Sequence, residues 1–135
     1  MPAEKQPGLL RDILDSAKAV RKYLHGVSRE QFLADTEKQD AVLRRLEIIG
    51  EAASRLTAET QALFPKLPFR AMRGMRNIIA HDYGDVDLEQ VWTTASTDLD
   101  NLIAVLEQYF ASSNWPAPPC LGKMQPEHFR NMAGT

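Results

Sequence analysis

The spacing of apolar residues constrains the fold of this chain more than any other feature. Between Leu9 and Leu24 the apolar positions follow one another in steps of three and four, and the same spacing returns after Thr36 and again from Leu88 to Phe110. That is the period of a helix with one buried face, whereas a half-buried strand alternates every second residue. No segment favours a strand, so the sequence predicts an all-α fold.

Helix boundaries are marked by capping sequences and by a proline. Ser28, Thr36 and Asp87 each stand three residues before a glutamine, the spacing of a capping box, in which two side chains satisfy backbone N–H groups at a helix start. We therefore expect a short helix after Ser28, a longer one from Thr36 and a last one from Asp87. Pro68 suits the first turn of another helix, because its missing N–H has no partner there anyway. This helix is expected to end near Ala80.

Gly50 lies inside the helix predicted to begin at Thr36. A glycine in a helix interior costs about 1 kcal/mol relative to alanine, so its presence there needs a packing reason. The expected reason is the close approach of a second helix, either within the chain or across a dimer. We assign Ile49, Gly50 and Ala53 to a dimer contact on this basis.

Length and composition indicate one domain followed by a tail. The chain has 135 residues, of which 44% are hydrophobic and 25% are charged, and a chain of this size buries enough surface to fold without metals or disulfides. The helical pattern stops near Ser113, and a proline cluster, WPAPP, follows it. We assign residues 1–113 to the helical bundle and residues 114–135 to a proline-rich tail that is extended or mobile.

Charge and cysteine content limit the location and the partners of the chain. The formal net charge of −2 argues against coating nucleic acid by bulk charge, but it allows a local basic patch. Cys120 is the single cysteine, so no intramolecular disulfide can form. No segment has the run of apolar residues that spans a bilayer. We therefore expect a cytoplasmic protein without a membrane association.

One basic segment is a candidate for phosphate binding. Lys66, Arg70, Arg73 and Arg76 occur without an intervening acidic residue, and acidic residues follow from Asp82 onward. The planar guanidinium group of arginine binds phosphate through two parallel hydrogen bonds and stays charged. The segment is either an ordinary solvated helix face or a phosphate-binding surface.

His81 is the candidate for proton transfer, and the geometry leaves two arrangements open. On an ideal helix Arg76 and Tyr83 lie within roughly 20° of each other, whereas Arg76 and His81 differ by roughly 140°. Arg76 and His81 can meet if the helix ends near Ala80 and His81 turns away, or if a second copy of the chain completes the site. A histidine at this position also serves simply as a cap for the last carbonyl groups.

Other chemistries have little support in the sequence. The histidines, His25, His81 and His128, show no metal-ligand spacing and have no cysteine partners. No glycine-rich phosphate loop and no nucleophile elbow occur. We expect neither a metal nor another cofactor.

The segment Arg76-Asn77-x-x-x-His81-x-Tyr83 resembles the R-x4-6-H motif, with its H-x-Y extension, of the HepT-like proteins in the HEPN superfamily. The resemblance extends from about residue 8 to residue 111 and includes residues 40–53, which read DAVLRRLEIIGEAA. It implies an up-and-down helical bundle of four to five helices that dimerises.

The resemblance also implies an activity. The chain would be the toxin of a bacterial type VII toxin–antitoxin pair, a metal-independent endoribonuclease that cleaves RNA through attack by the ribose 2′-hydroxyl group. Arg76 and His81 are then the catalytic residues. Arg70, Arg73 and Asn77 are assigned to RNA phosphate binding, and Asn77 has orientation of His81 as an alternative role.

A partner and a switch follow from the same resemblance. The partner is a minimal nucleotidyltransferase of the MntA type, which neutralises the toxin by transferring AMP to Tyr83. The added phosphate would place negative charge beside Arg76 and repel RNA. Two alternatives stay open: a non-catalytic subunit that binds nucleotide or substrate for a nucleotidyltransferase, in which Arg76 only grips a phosphate, and a scaffold whose function is complex formation.

Overall fold

The computed structural model describes residues 5–81, 84 and 86–111. These residues form helices and connecting turns without a strand, which confirms the all-α prediction. The predicted proline-rich tail, residues 114–135, lies outside the described residues. The α-helices are, in chain order, α1 (Gln6–Tyr23), α2 (Arg29–Leu33), α3 (Thr36–Ser54), α4 (Ala58–Ala62), α5 (Phe69–His81), α6 (Leu88–Thr93) and α7 (Leu99–Ala111).

The helix α3 is central to the bundle, because it packs against both α1 and α5. The helix α1 also packs against α7. The predicted apolar faces meet in one core, and each large side chain removed from water there contributes about 1.5–3 kcal/mol. The largest fully buried side chains include Leu10, Ile13, Leu14, Phe32 and Leu106. The predicted helical bundle is therefore confirmed.

Two of the predicted helix starts are confirmed by their capping bonds. The backbone N–H of Gln31 donates to the Ser28 hydroxyl at 3.1 Å, and the backbone N–H of Ser28 donates to the Gln31 side chain at 2.8 Å, which together form a complete capping box. The Asp87 carboxylate accepts from the backbone N–H groups of Glu89 and Gln90 at the start of α6. Both sites satisfy donors that would otherwise lack partners at a helix end.

The cap of α3 is not the one predicted. Asp35, one residue before Thr36, accepts from the backbone N–H of Lys38 at 3.0 Å. The Gln39 side chain, expected to complete a capping box, instead donates to the carbonyl oxygens of Phe32 and Leu33 at 3.0 Å each. Gln39 is thus used to satisfy the end of α2, and this bond fixes the sharp turn between the two helices.

The helix α4 was absent from the sequence prediction. Five residues are too few to show a helical period, so only the cap marks it: the Thr57 hydroxyl accepts from the backbone N–H of Thr60 at 3.2 Å. The buried side chain of Gln6 holds this connection to α1, because it accepts from the backbone N–H of Thr57 at 2.8 Å.

The last predicted helix is continuous but not uniform. A π-helical turn, Thr94–Asp98, joins α6 to α7. Such a turn inserts one residue into the α-helical repeat. The apolar side chains of α7 that follow it, including Leu99, Leu102 and Leu106, still face the core.

Candidate functional site

The helix α5 carries the predicted site residues and lies on the outside of the bundle. It packs against α3, and its buried side chains are Phe69 and Ile79. It begins directly after Pro68, as predicted, and it extends through His81. Its end at His81 lies one residue beyond the predicted end near Ala80, and His81, as the last helical residue, keeps the rotation of the helix.

Gly50 explains how closely α5 approaches α3. A Cβ atom at position 50 would lie 2.6 Å from the carbonyl oxygen of Met72 and closer still to the Cβ atom of Arg76. Only glycine permits this contact without a shift of backbone. Of the two predicted reasons for the glycine, the close approach within the chain is the correct one, and it sets the position of Arg76.

The predicted dimer contact needs a correction. Ile49 and Ala53 are 2% and 0% exposed, and Gly50 is covered by α5 of the same chain. All three residues face the interior of one chain, because they lie on the side of α3 that packs in the bundle. They offer no surface to a second copy.

Arg76 is held by two side chains. Its guanidinium group makes an ion pair with Glu51 of α3 at 2.9 Å, and it donates to the Asn77 side-chain oxygen at 2.9 Å. Glu51 also pairs with Arg55, the residue that directly follows α3, at 3.2 Å. One carboxylate thus holds two guanidinium groups, and the local sum of these charges is positive. Because the Arg76 side chain is 33% exposed, the ion pair orients it more than it stabilises the fold.

Asn77 has a different contact from those expected. It was assigned to phosphate binding or to orientation of His81, whereas its amide oxygen accepts from Arg76. The bond uses one N–H of a group that has five, and the Glu51 ion pair engages the other terminal nitrogen, so donors remain for a ligand. Asn77 and Glu51 together fix the direction of the guanidinium group.

His81 lies on another side of α5. Because α5 is helical through residue 81, the rotation per residue places His81 about 140° from Arg76 and about 40° from Asn77. Arg70 shares this outward face, and Arg73 lies between it and the Arg76 flank. His81 and Arg70 are exposed. Among the described residues, none forms a hydrogen bond or ion pair with His81.

Tyr83, the residue predicted to receive AMP, lies outside the described residues. Gly84 and the segment from Val86 onward are described, and α6 follows from Leu88. The sequence places Tyr83 two residues after His81, just beyond the end of α5.

A cleft of about 310 Å³ opens beside Arg76, between α1 and α3. Its volume is at the lower end of the range typical of small-molecule sites. Sequence reasoning assigned one of its residues, Arg76, and missed the others. The Glu51–Arg55 pair has the i, i+4 spacing that a sequence reveals, but the contact of Glu51 with Arg76 depends on how α5 packs. The cleft is lined by Leu9, Asp12, Arg44, Glu47, Ile48, Glu51, Ala52, Arg55 and Arg76.

The described residues hold neither a metal-ligand cluster nor a membrane-spanning helix. No group of three or more histidine, cysteine, aspartate or glutamate side chains with metal-binding geometry occurs in residues 5–81, 84 and 86–111. No helix in the same residues combines the length and the apolar character needed to cross a bilayer.

The all-α bundle and the Arg-x4-His motif on α5 are the features expected of a HEPN-type domain. Within that class the chain belongs to the ribonuclease HepT-like family, whose sequence model matches residues 13–109. The family membership predicted from the motif is confirmed.

Three similar proteins each align with more than two thirds of this chain. "Probable ribonuclease HepT" of Thermococcus cleftensis is 34% identical over 99 residues, which cover 73% of this chain and 90% of that protein. "Putative RNase MJ0127" of Methanocaldococcus jannaschii is 30% identical over 108 residues, which cover 80% of this chain and 89% of that protein. "Putative RNase TTE0752" of Caldanaerobacter subterraneus is 32% identical over 93 residues, which cover 69% and 83%. No solved structure matches the chain.

Proposed function

We propose that this chain is a metal-independent endoribonuclease and the toxin of a HepT/MntA-type toxin–antitoxin pair in the cytoplasm. The observation that carries the proposal is the held guanidinium group of Arg76, which is fixed by Glu51 and Asn77 and still has donors for a ligand. The names of the relatives, which describe ribonucleases, support the same activity.

In the proposed reaction the ribose 2′-hydroxyl group attacks the adjacent phosphorus, and the 5′-oxygen leaves. His81 transfers the proton that this exchange requires, as histidine does near neutral pH. Arg76 donates to the phosphate oxygens, where negative charge increases in the transition state. Arg70 and Arg73 bind flanking phosphates along the same helix. Preorganisation of Arg76 by Glu51 and Asn77 removes the cost of arranging it during the reaction.

The site is proposed to be complete only in a dimer. Arg76 and His81 point about 140° apart on one continuous helix, so one chain does not direct both at a single phosphate. Two chains that pack against each other along α5 would bring His81 of one copy towards Arg76 of the other. The half-exposed Ile78, at 50%, lies on the outward face and supplies an apolar contact between the copies.

Neutralisation is proposed to act at Tyr83. A minimal nucleotidyltransferase of the MntA type would transfer AMP from ATP to the phenol oxygen with release of pyrophosphate. The adduct places a phosphate near the end of α5, where it repels RNA phosphates and competes for arginine.

A second function is favoured by one observation. Arg76 and His81 diverge within the chain, and Arg76 is already arranged to bind a phosphate through its remaining donors. A non-catalytic subunit that binds nucleotide or substrate for a nucleotidyltransferase needs only Arg76. Cleavage of RNA distinguishes the two functions.

The test is cleavage of single-stranded RNA by the full chain in the presence of a chelator. We expect cleavage by the wild type and a loss of about 10²–10⁴-fold in Arg76→Ala and in His81→Ala. Arg21→Ala is the control, because Arg21 is an exposed, ion-paired arginine that contacts Asp100 of α7, away from the site. Equal cleavage by all variants would exclude this site, and RNA binding without cleavage in the wild type would favour the second function.

The proposed transfer of AMP to Tyr83 is tested by mass spectrometry of the chain after co-expression with a nucleotidyltransferase.

A further inference from the structure

The cleft beside Arg76 has features that the proposed reaction does not use. We propose that it binds one unpaired nucleotide next to the scissile phosphate and that Asp12 selects guanine as its base. This inference rests on the proposed function for its choice of RNA as the ligand. It assigns roles to Asp12 and Arg55, which the motif does not include.

The shape of the cleft suits a nucleotide base. Leu9, Ile48 and Ala52 provide apolar lining between α1 and α3. A base presents a flat apolar face, and such faces pack on apolar or aromatic side chains without regard to sequence. Charged groups border this lining on several sides, so a ligand with an apolar face and polar edges fits it better than a hydrocarbon does.

The phosphate end of the proposed subsite lies at Arg55 and Arg76. Both guanidinium groups share the carboxylate of Glu51, at 3.2 Å and 2.9 Å. Arg55, Arg76 and Glu51 together carry one net positive charge, and this charge attracts a phosphate. Each arginine has five N–H donors, and these ion pairs engage only part of them. A phosphate can therefore bind both arginines while Glu51 stays in place.

The base end of the proposed subsite lies at Asp12. The acidic groups on the α3 side of the cleft, Glu47 and Glu51, are paired with arginines. In contrast, the Asp12 carboxylate on α1 has no hydrogen bond or ion pair with any residue in the described ranges. An exposed acceptor that faces a cleft and lacks a partner is available to a ligand with N–H donors.

Guanine matches this acceptor better than the other bases do. Its Watson–Crick edge carries two adjacent donors, the ring N1–H and the 2-amino group, which reach both oxygens of one carboxylate. Adenine and cytosine place a single amino group beside a ring acceptor, and uracil places one N–H between two carbonyl groups, so each of these sets an acceptor against the carboxylate. Unpaired RNA bases are commonly recognised on this edge.

The test measures binding, which does not require cleavage. The full chain with His81→Ala is titrated with labelled single-stranded RNA hexamers, AAAGAA and AAAAAA, at constant salt. We expect the guanine-containing hexamer to bind more tightly by roughly tenfold, which is the usual discrimination of one bidentate base contact. Adding Asp12→Asn should remove this preference and leave the affinity for AAAAAA within about twofold.

Arg55→Ala, added to the same background, should weaken the binding of both hexamers by roughly tenfold, because phosphate contacts carry no base information. Arg21→Ala is a matched control, since Arg21 and Arg55 are both 55% exposed and both ion-paired. Arg55→Lys keeps the charge and should retain part of the affinity. Circular dichroism checks that each variant is folded.

Two results would overturn the inference. One is equal affinity for the two hexamers in the parent, or a guanine preference that survives Asp12→Asn. The other is an Arg55→Ala variant that binds as the Arg21→Ala control does. If either of these binding results is found while RNA cleavage still depends on Arg76 and His81, the subsite is wrong and the proposed function stands. If the hexamers bind as expected but no RNA is cleaved, the subsite stands and the proposed catalysis fails.

Discussion

The two sides of α5 differ in how much of the site one chain completes. On the side towards α3, Gly50 admits the helix closely and Glu51 holds Arg76. On the outward side, His81 has no partner among the described residues, and Ile78 is half exposed. One half of the Arg-x4-His motif is thus fixed by intramolecular packing, and the other half is presented to solvent. A sequence motif on one helix does not by itself define one site.

The largest expected effect comes from mixing two inactive variants. Arg76→Ala and His81→Ala each lack one group, and each is expected to lose about 10²–10⁴-fold in activity alone. If the site combines Arg76 of one copy with His81 of the other, a mixed dimer retains one complete site and one that lacks both groups. Random mixing of equal amounts should then restore about a quarter of wild-type RNA cleavage.

The control for this mixture is the double variant, in which one chain carries both substitutions. Mixed with wild type, it leaves every site of the mixed dimer with one group missing, so it should lower activity and never restore it. No recovery in the first mixture, with subunit exchange shown by sedimentation, would place both groups of a site in one chain. That outcome would contradict the inference that the two sides of α5, from different chains, supply the two groups of one site.

The next effect concerns the packed side of α5. Gly50→Ala places a Cβ atom against the Met72 carbonyl oxygen and the Arg76 side chain. We expect a loss of about 1–3 kcal/mol in the free energy of unfolding, because the obstacle includes backbone and cannot be relieved by a rotamer change. This net loss already includes the roughly 1 kcal/mol that alanine gains in helix propensity. Denaturant unfolding measures it.

Gly8→Ala is the matched control for that measurement. Gly8 is exposed in α1, and a Cβ atom there would meet nothing within 4 Å. Its replacement should leave stability unchanged or raise it by up to about 1 kcal/mol. A Gly50→Ala protein as stable as the wild type would mean that α5 moves away easily, and its RNA cleavage would then show how far the activity depends on the position of Arg76.

Local features of the fold were predictable, whereas contacts between helices were not. The caps at Ser28 and Asp87 were predicted because the bonded groups lie within three residues. Gly50 indicated a close helix contact, because a glycine inside a helix lowers helix propensity and needs a packing reason. The sequence did not reveal which helix approaches it. The dimer assignment of its neighbours failed for the same reason, since small residues look alike at an internal contact and at an interface.

The candidate site divides in the same way. The motif assigns Arg76 and His81 as residue types at a spacing, and their catalytic roles stay a prediction. The role of Glu51 was missed, because its partner Arg76 is 25 positions away in the sequence and the two meet only when α5 packs on α3. Side-chain contacts of this kind depend on tertiary geometry, so neither periodicity nor capping signals predict them.

The smallest expected effect tests whether Glu51 assists Arg76 or obstructs it. Its carboxylate orients the guanidinium group, but it also competes with a phosphate for the same donors. Orientation should dominate, because Arg55 neutralises Glu51 as well and most Arg76 donors remain available. We expect Glu51→Gln to lower kcat/KM for RNA by about tenfold, because the Arg76 guanidinium group is no longer held in position. The free energy of unfolding should stay within about 0.5 kcal/mol of wild type, as for other part-exposed ion pairs.

Glu107→Gln is the control. It removes the half-exposed pair with Lys18 at 2.7 Å and should change neither kcat/KM nor the free energy of unfolding. A rise in kcat/KM for Glu51→Gln would reverse the assignment, because Glu51 would then hold Arg76 away from RNA and the packed side of α5 would be restrained rather than preorganised.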